Sequence, residues 1–126
     1  MTGAALTLGA GSAAAGPSGI TFSVGSLQSD GSRTITIKED GTTAGVVKWT
    51  ADGDTLTAKD SYADGYGISG YVTANPYLIA DTGGHNSPYT ATAHRDLTEN
   101  VTYTFWGCIG SNSIGLTCSN VYNVTS

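Results

Sequence analysis

Apolar and polar residues alternate one for one along much of this chain. Ile20-Thr21-Phe22-Ser23-Val24 does so, and so does Arg33-Thr34-Ile35-Thr36-Ile37-Lys38. Side chains on an extended strand point to opposite faces in turn, so this period predicts half-buried strands. No stretch repeats apolar residues at helical spacing. Asp40-Gly41 predicts a turn, after which Gly45-Val46-Val47-Lys48-Trp49-Thr50 runs back. Asp52-Gly53 is the strongest hairpin signal, because a type I′ turn needs positive φ at both central residues. Asp54 to Lys59 continues the meander.

Beyond Lys59 the pattern changes. Asp60-Ser61-Tyr62-Ala63-Asp64-Gly65-Tyr66 is a polar and aromatic connection. Gly67 to Thr73 predicts a strand in which Gly67 and Gly70 permit a bulge or a close backbone approach. Asn75-Pro76 turns the chain, and Tyr77 to Ala80 predicts a short edge strand. Asp81 to Pro88 is the longest loop, followed by a strand over Tyr89 to Ala93. Val101 to Cys108 and Leu116 to Val124 predict two long closing strands. About nine short strands with turns at this spacing predict an all-β antiparallel sandwich rather than an open sheet.

Leu97 stands six positions before Tyr103 in Leu97-Thr98-Glu99-Asn100-Val101-Thr102-Tyr103-Thr104-Phe105. This resembles the tyrosine corner of immunoglobulin and fibronectin type III sandwiches. The resemblance implies an immunoglobulin/fibronectin III-like fold of about 7–9 strands, with the Tyr103 hydroxyl bonded back to the preceding turn. It also sets parity. Tyr103 and Phe105 should face the core, with Thr102, Thr104, Trp106 and Cys108 outward. By the same alternation Tyr66, Ile68 and Val72 share one face, and Ser69, Tyr71 and Thr73 the other. A strand that sets Tyr71 beside Trp106 would give the outer sheet an aromatic patch.

The chain has 126 residues, enough for one domain with a real core. Only 12% are charged, against about 25% in ordinary soluble domains, so Thr and Ser hydroxyls cover the outer faces. The net charge is -5 and the five basic residues are scattered, which argues against nucleic acid. Nothing forms a polybasic or amphipathic membrane anchor. Thr2 to Ala15 is small and apolar, and Ala13-Ala14-Ala15 fits the small-x-small pattern of a signal-peptidase cut without the basic segment that precedes one. Residues 1–15 are thus a signal-peptide remnant or a flexible arm, and residues 16–126 the sandwich domain. Cys108 and Cys118 suit an exported protein, as a disulfide stapling adjacent strands; two free thiols in a cytosolic protein are the alternative. The expected location is extracellular.

Catalytic chemistry finds little support. His85 and His94 are the only histidines, and no Gly-x-Ser-x-Gly elbow occurs. Asp52, Asp54, Asp60 and Asp64 match no calcium loop and read as turn formers. The cysteines lack the second pair that a zinc site needs. The expectation is a protein that is not an enzyme and holds no metal or cofactor. The aromatics are the binding candidates: Tyr71, Trp106, Tyr62 and Tyr66 above all, since Tyr62, Tyr66, Tyr71, Tyr77, Tyr89, Trp106 and Tyr122 are too many for all to lie in so small a core. Trp49 is expected in the core.

The run Asp54 to Gly67, with Ser87-Pro88-Tyr89-Thr90-Ala91-Thr92 and Tyr103-Thr104-Phe105-Trp106-Gly107-Cys108, is similar to small secreted proteins of filamentous actinobacteria. Those share an Asp-Gly-Tyr connection, a Tyr-x-Phe-Trp/Arg-x-Cys strand and a closing Cys. Some resemble adaptor subunits of umbrella-shaped toxin particles. The likeness spans residues 54–126 and implies binding to another secreted protein. Two alternatives use the same surface features: a carbohydrate-binding, lectin-like module on the aromatics, or a hydrolase inhibitor presenting the loop 81–88 or 109–117.

Overall fold

The structure, a computed structural model, describes residues 17–111 and 113–126. The expected processing of residues 1–15 lies outside the described residues. Among those described the chain is all-β, with ten antiparallel strands. They are β1 (Ile20–Val24), β2 (Arg33–Glu39), β3 (Thr42–Thr50), β4 (Thr55–Asp60), β5 (Gly67–Val72), β6 (Leu78–Asp81), β7 (Tyr89–His94), β8 (Thr102–Ser111), β9 (Gly115–Cys118) and β10 (Tyr122–Thr125).

One sheet has the order β1-β2-β3-β4-β7, and the other the order β10-β8-β5-β6 with β9 also on β8. The arrangement is that of an immunoglobulin/fibronectin III-like sandwich. Strands β3, β4 and β7 take the places of A, B and E, and β5, β6, β8 and β10 those of C, C′, F and G. The hairpin β1–β2 extends the first sheet beyond the A position.

The alternation read in the sequence meets in the middle. Ile35, Ile37, Val47, Trp49 and Leu56 project from the first sheet, and Ile68, Val72, Phe105, Ile109 and Val124 from the second, all fully buried. Trp49 also satisfies its ring N–H, which donates to Thr125 O at 3.0 Å. Gly70 lies under Val47: a Cβ there would collide with Val47 Cγ1, and one on Gly107 would meet Val47 Cγ2 at 3.0 Å. The close approach anticipated at Gly70 is therefore one sheet receiving a knob of the other.

Three local expectations are corrected. The two-residue hairpin with paired positive φ is at Asp40 (50°) and Gly41 (83°), between Glu39 and Thr42, which pair directly. At Asp52-Gly53 four residues separate the strands. The positive φ values there fall on Gly53 (93°) and Asp54 (46°), and Asp54 N donates to Ala51 O. The longer loop leaves Asp52 free to keep a negative φ. The closing run Leu116 to Val124 is two strands. Trp106 and Gly107 oppose three residues, Ser119 to Val121, between the pairs Cys108↔Cys118 and Phe105↔Tyr122, as in a bulge. Ser119 holds the break: its N–H donates to Gly107 O and its hydroxyl accepts from Gly107 N.

The third concerns the corner. Tyr103 is half-buried against the core, as is Leu97, but its hydroxyl has no hydrogen-bond partner among the described residues. Pairing of Thr125 with Thr102 carries Ser126 over the 97–101 turn, and Ser126 closes it instead. Its hydroxyl donates to Thr98 O at 2.5 Å and accepts from Val101 N at 3.1 Å. Its backbone exchanges bonds with Asn100 and Val101.

Candidate functional site

The outer face of the second sheet carries a row of side chains fixed by strand register. Ile79 of β6 pairs with Tyr71 of β5, and Tyr71 pairs with Trp106 of β8. The Tyr71 and Trp106 rings are parallel within 13° at a centroid distance of 5.2 Å. Rings that close and that parallel overlap face to face with an offset, so each covers part of the other. Tyr77 meets Trp106 edge-on at 5.8 Å. The Tyr71 hydroxyl is bonded to Ser69 Oγ at 2.9 Å, which fixes the ring's tip. Tyr77 and Ile79 remain about half exposed, at 54% and 49%. The result is a rigid apolar ridge on an open sheet face.

Beside the ridge the sheet opens into a cleft of about 860 Å³. Its walls are the connection between β4 and β5 and the loop between β6 and β7, and Ser69 and Tyr71 continue it into the ridge. Local hydrogen bonds build both walls. Asp60, Asp64 and Asp81 each accept the amide of the residue two further on: Tyr62, Tyr66 and Gly83. These are the turns that Asp side chains form with their own backbone. Thr82, fully buried, anchors the second wall. Its hydroxyl accepts from Ile68 N at 2.9 Å, and its backbone N–H donates to Ile68 O. His85 stacks on Tyr89, with parallel rings 3.8 Å apart.

The cleft is acidic. Asp60, Asp64 and Asp81 line it, and no Lys or Arg is among the described residues that do. Burial holds the Asp60 carboxyl above the usual range; the charge of Asp64 adds to this, and the bond from Tyr62 N–H opposes it. Behind the wall, Glu39 at the end of β2 faces Asp64. Burial, with Asp64 and Asp40 beside it, pushes the Glu39 carboxyl up to about 7. Glu39 Oε1 and Asp64 Oδ2 are both buried without a donor among the described residues, which a proton held on Glu39 would supply.

The basic residues lie elsewhere. Lys38, Lys48 and Lys59 are exposed on strands of the other sheet. The Arg33 guanidinium donates to Gly25 O and Asn123 O and covers the Tyr122 ring, and that of Arg95 donates to Pro76 O.

The four aromatic candidates are thus neighbours in space. Tyr71 and Trp106 form the ridge, and Tyr62 and Tyr66 join Tyr71 in lining the cleft. Tyr62 is exposed, whereas Tyr66 is half-buried against the core. Cys108 and Cys118 form a disulfide between paired positions of β8 and β9. Leu97 and Tyr103 lie away from this face, at the corner. Sequence reasoning did not single out Ile79, Asp81 or the His85–Tyr89 stack. Ile79 is in a run too short to show a face, and loop residues carry no period at all. No family model matches the chain, and no curated protein or solved structure matches it either.

Proposed function

We propose that this protein is a small secreted, non-catalytic β-sandwich that binds another secreted protein through the Tyr71–Trp106 ridge. The carrying observation is the ridge itself. Its aromatic side chains are already ordered by stacking and by the Ser69 bond, so they lose little freedom when a partner covers them. Rigid, partly exposed Tyr and Trp are the residues that dominate binding energy in protein interfaces. The Cys108–Cys118 disulfide suits an oxidising compartment, and among the described residues no helix is long and apolar enough to cross a membrane. The finer assignment, an adaptor within a secreted toxin complex, rests on the resemblance of residues 54–126.

A lectin-like role on the same ridge is less well supported. A sugar stacks on an open ring face, and the overlap of Tyr71 with Trp106 leaves less of each face open.

The test is secretion of the tagged chain from an actinobacterial host, followed by native purification. A secreted protein retained by the wild type and lost from both Tyr71→Ala and Trp106→Ala supports the reading. Retention on chitin or cellulose that depends on these two residues, with no protein bound, overturns it in favour of glycan binding.

A further inference from the structure

We propose that the outer face of the β1-β2-β3-β4-β7 sheet binds a base-free phosphodiester polymer, a polyol phosphate chain, through Lys38, Lys48 and Lys59. This face is the one opposite the ridge, so the inference stands apart from the protein-binding reading. The three lysines are ten and eleven positions apart in sequence, and strand register gathers them. Lys48 of β3 pairs with Thr57 of β4, two residues before Lys59, so Lys48 and Lys59 are diagonal neighbours about 7–8 Å apart. Val46 pairs with Lys59 on one side and with Thr36, two residues before Lys38, on the other. The lysines therefore surround Val46 on three adjacent strands.

Charge complementarity carries the argument. All three lysines are exposed, and among the described residues none of their ammonium groups makes a hydrogen bond or ion pair. No carboxylate shares their face. Glu39 and Asp60 are the acidic residues of these five strands, and both have the inward parity of Ile37 and Ala58. The Asp30 carboxyl, in the loop before β2, is held below its usual range chiefly by the Ser32 N–H, with the Lys48 charge its weakest influence. Thr34, Thr36 and Thr57, half-buried between the lysines, add hydroxyl donors. An ammonium is a point charge that meets a phosphate oxygen from any direction, whereas a carboxylate is matched best by the planar fork of arginine. Both arginines are held elsewhere by backbone carbonyls. Phe22, Trp49 and Tyr89, the aromatic residues of these strands, share the inward parity. The face thus offers nucleic-acid bases no stacking platform and a folded protein no aromatic anchor. A polymer with repeated phosphates engages all three lysines together, where a lone phosphate engages one.

The full chain, labelled with ¹⁵N, is titrated at low salt with synthetic oligo(glycerol phosphate). A single-stranded oligodeoxynucleotide, an oligogalacturonate and an oligoglutamate peptide of equal charge serve as controls. The expected result is movement of the Val46, Lys48 and Lys59 amide signals, with those of Tyr71 and Trp106 unmoved. The logarithm of the affinity should fall with that of the salt concentration at a slope of about -2, the value for three phosphates neutralised on a single strand. Lys48→Gln and Lys59→Gln should each weaken binding about threefold, as for loss of one exposed ion pair, and flatten the slope by about 0.7. The side chains are exposed, so the melting temperatures should match the wild type. Tyr71→Ala should bind the polymer as the wild type does. Unmoved signals on this sheet overturn the inference, as does an unchanged affinity in the lysine variants. Equal or tighter binding of the oligonucleotide, the galacturonate or the glutamate peptide overturns it too, because the face then does not favour a base-free phosphodiester.

Discussion

Asp54 and Leu97 are joined across 43 positions of sequence: Leu97 N–H donates to Asp54 Oδ2 at 2.9 Å. The Asp54 side chain is almost fully buried, and its carbonyl also accepts from Arg95 N–H. One turn of the first sheet thereby holds the start of the 97–101 corner. Asp54 adopts φ 46°, a conformation that Asp tolerates better than most residues. Asp54→Ala should lose the bond, about 1–3 kcal/mol, and about 1 kcal/mol more for the left-handed backbone. Asp54→Asn, which keeps an acceptor and the tolerance, should lose less. Equal denaturation midpoints for wild type and Asp54→Ala would remove this link.

The corner is closed by Ser126 and not by the hydroxyl of Tyr103. Tyr103→Phe should leave stability within about 0.5 kcal/mol, as for changes that break no bond. Ser126→Ala should cost about 1–3 kcal/mol, because it leaves Thr98 O and Val101 N without their side-chain partner. Thermal melts of the two variants decide between the arrangements. A large loss on Tyr103→Phe with none on Ser126→Ala would restore the tyrosine corner.

Cys118→Ser should lower the melting temperature without changing the fold. The bond closes a loop with a sequence separation of 10. In the chain-entropy model so short a loop contributes about 2–3 kcal/mol. Among the described residues β9 pairs only with β8, so its amide protons should exchange faster in the variant. An unchanged melting temperature after reduction of the wild type would show that the disulfide adds nothing.

Glu39 makes stability depend on pH. Its carboxyl titrates at about 7 in the folded protein, against 4.5 in the unfolded chain. The folded state therefore holds the proton more tightly. Its contribution is fully present below 4.5, declines as pH rises, and is gone above about 7. Asp60, raised mainly by burial, acts in the same direction. Glu39→Gln, neutral at every pH, should flatten the stability curve over that window. A wild-type midpoint that stays constant or rises from pH 5 to pH 7 contradicts the pairing of Glu39 with Asp64.

The alternation of side chains was enough to place most of the architecture. It set the strands from Ile20 to Thr73, the inward Trp49 and Phe105, and the outward Trp106. These follow from chain geometry, because a half-buried strand must show one face to water and one to the core. The aromatic candidates were legible for the same reason: parity put Tyr71 and Trp106 on outer faces. Their stacking was not legible, since it depends on the register between β5 and β8, which are separated by the whole β6–β7 excursion.

Turn identity and electrostatics needed the folded chain. Asp40-Gly41 and Asp52-Gly53 are the same dipeptide, yet loop length gave them different dihedrals. Asp54, Asp60 and Asp64 are alike in sequence. One became a clasp for Leu97, one a buried wall of the cleft, and one the neighbour of Glu39. The sequence by itself determined most of the strands and their faces, because these rest on local period. Only the tertiary structure decided which distant groups meet, how deeply each carboxyl is desolvated, and that Ser126 rather than Tyr103 closes the corner. Those outcomes depend on packing two sheets together, which no local pattern encodes.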